Sequence, residues 1–206
     1  MIEATDDQAG YRLGSGLVSL GAQAMHGRDI VRVCQPLLRS LCNQTGMSAH
    51  LGILDGRDVI YLARETPNAH LVSNIRAGSR LPAHGSSIGR AILARMPEAE
   101  INSLFAAVTL EKISPKTPQS CAQIILQAEQ DRKRGFAWSE GNFESGIGSC
   151  AAVILDHTGQ PAGGINVSGP QTRFARVNGN KASEISAAVL AAAEQASAAL
   201  GYSQQR

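Results

Sequence analysis

Residues 84–89 read His84-Gly85-Ser86-Ser87-Ile88-Gly89. Gly85, Ser87 and Gly89 have the G-x-S-x-G spacing of a hydrolase nucleophile elbow, with a histidine alongside. In that chemistry the serine attacks a carbonyl, a histidine takes its proton and an acid orients the histidine. The surroundings argue against it. An elbow joins a buried strand of a parallel sheet to a helix, and Pro82 has no N–H to give to a central ladder. The histidine after Ser87 is His157, in the turn from Asp156 to Pro161, where no acid is placed to orient it. An esterase or amidase using Ser87 is the alternative. The same residues suit a second chemistry. Gly85, Ser86 and Ser87 come just before a short helical pattern, whose first N–H groups lack intrahelical partners and favour a carboxylate or other small anion. Ser86 or Ser87 acting only as a helix cap explains the residue types as well.

Other polar residues have two readings each. Asn166 and Ser168 alternate with Ile165 and Val167, so they share one strand face, which either meets solvent or lines a cavity. His50 lies in an alternating segment and reads as a satisfied core or surface histidine. Trp138 and Phe143 bracket Ser-Glu-Gly-Asn, as a pocket wall or as plain packing. The run Asp131-Arg-Lys-Arg-Gly135 reads as a solvated helix end. Cys34, Cys42, Cys121 and Cys150 form no C-x-x-C pair, and no histidine pair has zinc-finger spacing. They read as scattered thiols in a reducing cytoplasm, and no metal or cofactor is expected.

The elements that must position these residues follow from periodicity. The 206 residues, 43% hydrophobic and 17% charged, suffice for one domain with a sizeable core. A net charge of +2, with no run of five basic residues, argues against this chain itself gripping nucleic acid. The acidic, polar start is no signal peptide, and no apolar run is long enough to span a bilayer. Leu13, Leu17, Leu20 and Ala24 predict a helix over 11–25, weakened by Gly14, Gly16 and Gly21. A second helix places Ile30, Val33, Leu37 and Leu41 on one face; Pro36 should kink or restart it, and Gly46 ends it. Strands over 47–54 and 57–64 flank Asp55-Gly56, a strong hairpin signal. A third strand is expected over 70–78, then helices over 86–95, 98–108 and 120–134, with a loop at 111–119. Residues 135–140 make a short strand. A second hairpin turns between Asp156 and Pro161. A long final helix puts Ile185, Val189, Ala192 and Ala196 on one face. The fold class is α/β (α+β): a mainly antiparallel sheet flanked by helices, with an N-terminal helical appendage.

In order along the chain stand YRLGSGLVSLG, TGMSAHLGILDGRDVIYLAR, RAGSRLPAHGSSIGRAILA, RGFAWSEGNFESGIGSCAAVILDHTGQPAGGINVSGP and the C-terminal helix. Together they resemble the effector-binding domain of IclR-type bacterial transcriptional regulators, from about Tyr11 to about Tyr202. The resemblance implies a GAF-like domain with a small-molecule pocket on one side of the sheet, no enzyme activity, and assembly into dimers or tetramers. It implies residues 1–27 as tail and linker helix and 28–206 as the effector-binding domain. It implies a DNA-binding winged helix-turn-helix before Tyr11, and the ten residues there are too few to form one. DNA would then be bound only through a domain outside this chain, or the chain would be a stand-alone sensor. The family's pocket implies that the N–H groups of Ser87 and Ile88 hold the carboxylate of a small organic acid. Matching pocket positions are Ser139, Ser149, Asn166 and Ser168, with Ile147, Leu71 and Ser73 on the wall. Two residues depart from the pattern: Ser139 stands where an aspartate is usual, beside Glu140, and Asn166 replaces a smaller serine. Both bear on which effector is bound.

Overall fold

Asp55-Gly56 forms the predicted turn. Gly56 takes φ 61°, which a side-chain-bearing residue rarely adopts, and Asp55 pairs with Asp58 across it. The computed structural model describes residues 2–4, 10–26, 28–67, 75–174 and 179–203. Strands β3 (Ser48–Asp55) and β4 (Asp58–Glu65) make the first hairpin, and β7 (Ile147–Leu155) and β8 (Pro161–Pro170) the second. β3 pairs with β8, joining the hairpins into one antiparallel sheet. Short β5 (Arg80–Pro82) and β6 (Ala137–Glu140) complete the order β5-β4-β3-β8-β7-β6. Pro82 ends an edge strand, where its missing N–H costs no ladder bond.

Two helical layers cover the sheet. On one face α2 (Asp29–Thr45) and α6 (Gly179–Ala199) bury Leu38, Leu41, Val189 and Ala196 against Leu51, Ile154, Ile165 and Val167. On the other, α3 (Ser87–Leu93), α4 (Glu98–Phe105) and α5 (Cys121–Arg134) bury Ile88, Ile92, Ile101, Phe105 and Ile124 against Val59, Tyr61, Ala137 and Ala151. Alternation along a strand feeds both layers.

Several expectations change. Residues 11–13 are not helical: β2 (Tyr11–Leu13) pairs with β1 (Ile2–Ala4), and α1 begins only at Ser15 and runs to His26. Gly14 separates the two, and the Glu3 carboxylate accepts from the Ser15 N–H, closing the strand pair onto the helix start. α2 buries Ile30, Cys34, Leu38, Leu41 and Cys42, so its core face is rotated from the expected one, and Val33 and Leu37 sit half-buried at its edge. The helix runs through Pro36 as one element. Pro36 forgoes only the bond to the Arg32 carbonyl, which the packed face outweighs. The predicted stop holds: Gly46 at φ 64° donates to the Cys42 carbonyl. The strand expected over 70–78 falls largely outside the described residues; a turn at Gly78 leads into β5. The run at 131–135 is only partly solvated. Asp131 is buried, and Arg90 grips it from α3 with Nε and Nη2, both at 2.9 Å.

Candidate functional site

The G-x-S-x-G spacing is explained by close packing. A Cβ at Gly89 would collide with the backbone of Ala83, and one at Gly85 would stand 2.6 Å from Ile113. Sheet glycines let α3 sit low: a Cβ at Gly164 would meet Ile88 at 2.9 Å. The N-terminus of α3 is thereby pressed onto β3 and β8.

The capping question divides between the two serines. Ser86 is the cap, its hydroxyl accepting from the Gly89 N–H at 3.2 Å. The Ser87 hydroxyl instead accepts from Asn166 Nδ2 at 3.0 Å. Among the described residues no imidazole reaches Ser87: His84 bonds the Glu111 carbonyl at 3.1 Å, and His50 bonds Asn166. A serine without a base is not an activated nucleophile.

Antiparallel register assembles the other polar residues. Ser48 pairs with Ser168, Ser168 with Ser149, and Ser149 with Ser139. Four serines therefore form a row across β3, β8, β7 and β6, about 14 Å long at the usual strand spacing. One step along the strands, His50, Asn166, Ala151 and Ala137 form the adjacent row on the same face. Ala137, Ala151 and Tyr61 belong to the α3 layer, so both rows face that helix. Ile147 opposes Pro170 at the far end of the same face.

Within this patch some polar groups are satisfied and others are not. Ser139 donates to Asn142 Oδ1 and accepts from the Asn142 N–H, so its hydroxyl holds the turn after β6. Asn166 is used at both ends, its Oδ1 taking the His50 Nδ1 proton at 2.9 Å. The hydroxyls of Ser48, Ser149 and Ser168 make no hydrogen bond among the described residues. Ser168 Oγ and His50 Nε2 are moreover sealed from solvent. Arg64 and Arg90 each leave one buried nitrogen unpaired as well, but their other nitrogens are bonded, to Thr66 and Ile75 and to Asp131. An unpaired buried polar group costs about 1–3 kcal/mol, so a cluster of them marks a place a partner fills. The N–H groups of Ser87 and Ile88, at the first positions of α3, are likewise without acceptors among the described residues.

Burial, aided by the nearby Arg64 charge, pushes the His50 pKa down to about 4, against the pull of its Asn166 bond. The ring is neutral at physiological pH, with its proton on Nδ1 and a lone pair on Nε2. Tyr61 meets it edge-on, ring centroids 5.7 Å apart. His50, which the sequence reads as a satisfied core or surface histidine, keeps an unpaired Nε2 among the described residues, and Ser48, to which the sequence reading gives no role, stands in the row beside it. The alternation of β3 carried the signal, since Ser48 and His50 share a face as Asn166 and Ser168 do.

Two loops cover the helix start. Ser114 and Thr117 both donate to the Asn142 carbonyl, and Phe143 lies close to Gly85. Trp138 points the other way and packs on Phe174 at 5.2 Å, so the two aromatics around residues 139–142 serve different layers. Leu71 and Ser73 lie outside the described residues. A separate groove of about 470 Å³ runs between the ends of α3, α5 and α6, lined by Ala94, Arg95, Phe136, Leu190 and Tyr202. None of the expected ligand residues lines it. The Arg132 guanidinium there is committed to the Ala94 and Met96 carbonyls. No group of three or more His, Cys, Asp or Glu side chains suited to a metal occurs among the described residues, and no described helix is long and apolar enough to cross a membrane.

Residues 22–198 match the family model described as bacterial transcriptional regulator IclR C-terminal. The HTH-type transcriptional regulator XynR of Escherichia coli (strain K12) is 29% identical over 201 residues, covering 98% of this chain and 79% of its own length. For another curated relative the covered share is 63%. The crystal structure of Thermotoga maritima IclR superposes with a TM-score of 0.85 at 27% identity, over 98% of this chain and 80% of that one. An IclR homologue from Microbacterium hydrocarbonoxydans, complexed with 4-hydroxybenzoate, has the same fold, with a TM-score of 0.79 at 20% identity over 97% of this chain and 79% of that one.

Proposed function

Since the chain belongs to the IclR family of bacterial transcriptional regulators, matching its C-terminal, effector-binding domain, we propose that it senses a small organic acid and so controls DNA binding by an attached winged helix-turn-helix domain. The family is not enzymatic, in keeping with a Ser87 that has no base. In this proposal the acid's carboxylate meets the N–H groups of Ser87 and Ile88. Ser149, Asn166 and Ser168 supply side-chain hydrogen bonds, Ser139 fixes the turn beside them, and Ile147 forms part of the wall with Leu71 and Ser73. The observation that carries it is the sealed hydroxyl of Ser168, unpaired among the described residues, on the strand face beneath an α3 start whose Ser87 and Ile88 N–H groups have no acceptor among them. The Microbacterium homologue's complex with 4-hydroxybenzoate, a small carboxylic acid, supports this reading. Residues 1–27 act as tail and linker, and 28–206 as the sensor. The protein works in the cytoplasm as a dimer or tetramer, its four cysteines remaining free thiols. The acid acts by binding one arrangement of the assembly more tightly than the other, since only differential affinity shifts an equilibrium.

A thermal-shift screen with aliphatic and aromatic carboxylic acids tests this. A true effector at a hundred times its Kd stabilises by about 2.7 kcal/mol. Ser87→Pro removes one carboxylate donor at a helix position that tolerates proline. It follows a Ser86 already extended at φ −82°, ψ 145°, as a residue before proline must be. The expected outcome is a folded variant that has lost the shift. A wild-type protein that no acid stabilises overturns the proposal.

A further inference from the structure

The unpaired groups differ in what they can accept. A serine hydroxyl donates or accepts, so Ser48, Ser149 and Ser168 place little constraint on a ligand. His50 is more demanding. Its Nδ1 proton is spent on Asn166 Oδ1, and Asn166 is itself held by its second bond to Ser87. The ring cannot turn to exchange its nitrogens without breaking that chain. What remains is Nε2, a lone pair with no donor among the described residues, in a residue with no exposed surface. Among the described residues none supplies the missing proton: the Ser48 and Ser168 hydroxyls in the neighbouring row make no bond to it, Ala137 and Ala151 continue the His50 row, and Tyr61 meets the imidazole edge-on.

We propose that His50 is a specificity-determining residue of the effector site, whose Nε2 accepts a hydrogen bond from a hydroxyl of the bound acid, making the effector a hydroxy acid. This rests on the organic-acid proposal above and adds its second recognition point. The carboxylate is held at the start of α3, and the hydroxyl is read on the sheet beneath by His50, with the unpaired serine hydroxyls of Ser48 and Ser168 in the neighbouring row. A plain carboxylic acid leaves Nε2 unpaired and binds more weakly. A site with a buried group to satisfy rejects analogues that lack the matching group more strongly than it rejects a change of one methylene. His50→Phe keeps a flat ring and removes the acceptor, so the preference for a hydroxyl vanishes.

The test uses matched acids on the whole chain by calorimetric titration: lactate against propionate, 3-hydroxybutyrate against butyrate, and 4-hydroxybenzoate against benzoate. The expected result is at least a tenfold preference for one hydroxy acid over its deoxy partner in wild type, falling to near unity in His50→Phe. The imidazole ¹⁵N spectrum of the wild type gives a readout that needs no variant. The Nε2 resonance shifts on adding the preferred hydroxy acid and stays put on adding its partner. Equal affinities within every pair, or an unmoved Nε2 resonance with bound hydroxy acid, overturn the role of His50 while leaving the organic-acid proposal standing. No binding of any of the six acids overturns both.

Discussion

The two faces of the sheet are built from the same strands to opposite ends. β8 gives Ile165 and Val167 to the layer under α2 and α6, and Asn166 and Ser168 to the layer under α3. In the first layer buried polar groups are satisfied: Ser197 donates to the Ala193 carbonyl and accepts from the Leu155 N–H, fastening α6 to β7. In the second, two sealed polar atoms in adjacent rows, His50 Nε2 and Ser168 Oγ, have no partner among the described residues. A layer that only holds the fold together satisfies or excludes polar groups. A layer that leaves them unpaired loses stability for a ligand to recover.

The largest effect that sharpens this contrast is expected in the dry layer. Leu38→Ala, at a fully buried site of α2, should cost roughly 2–5 kcal/mol in a denaturant titration. The stabilisation gained from a bound acid should survive. A loss of the acid response with intact folding would mean that the layers are not separate.

Next comes the acid sensitivity of the wet layer. His50 has a folded pKa of about 4 against 6.5 for the free side chain, so between those values the unfolded chain binds the extra proton. Stability contributed by the neutral ring is therefore full above pH 6.5 and is lost as pH falls towards 4. The loss is about 3 kcal/mol for this shift. Urea melts across that range check it, and His50→Phe should flatten this part of the profile.

Ser87→Ala should cost about 1–3 kcal/mol, because Asn166 Nδ2 loses its buried acceptor. It keeps the Ser87 N–H, so acid-induced stabilisation should persist, in contrast to Ser87→Pro. Abolished binding in the alanine variant would make the hydroxyl, and not the backbone, the ligand contact. The smallest effect is Ser86→Ala, about 1 kcal/mol by thermal melt, for loss of the α3 cap.

Much of the scaffold was legible along the chain. Asp55-Gly56 and the 156–161 turn marked both hairpins, and Gly46 and Gly135 marked two helix ends, each with the positive φ that glycine adopts freely. The N-terminal strand pair escaped notice because β1 and β2 have three residues each, too short for alternation to register. The candidate site was legible in part. Ser87 follows from its place at a helix start, the shared face of Asn166 and Ser168 from alternation, and Ser149 and the ligand roles from resemblance. Alternation puts Ser48 on the face of His50, but only the pairing of β3 with β8 sets that face beside Asn166 and Ser168.

By itself the sequence determined most of the longer elements, because periodicity, turn residues and caps act over a few positions and need no distant partner. Pairings across the chain were decided only by tertiary structure. His50 and Asn166 stand 116 residues apart and meet because β3 and β8 adopt one register, and a slip of one residue would turn either to the opposite face. Arg90 meets Asp131 across 41 residues because α3 and α5 pack on the same face. The difference between a satisfied histidine and one with a lone pair to offer depends on what surrounds Nε2, and those surroundings exist only once the sheet has closed.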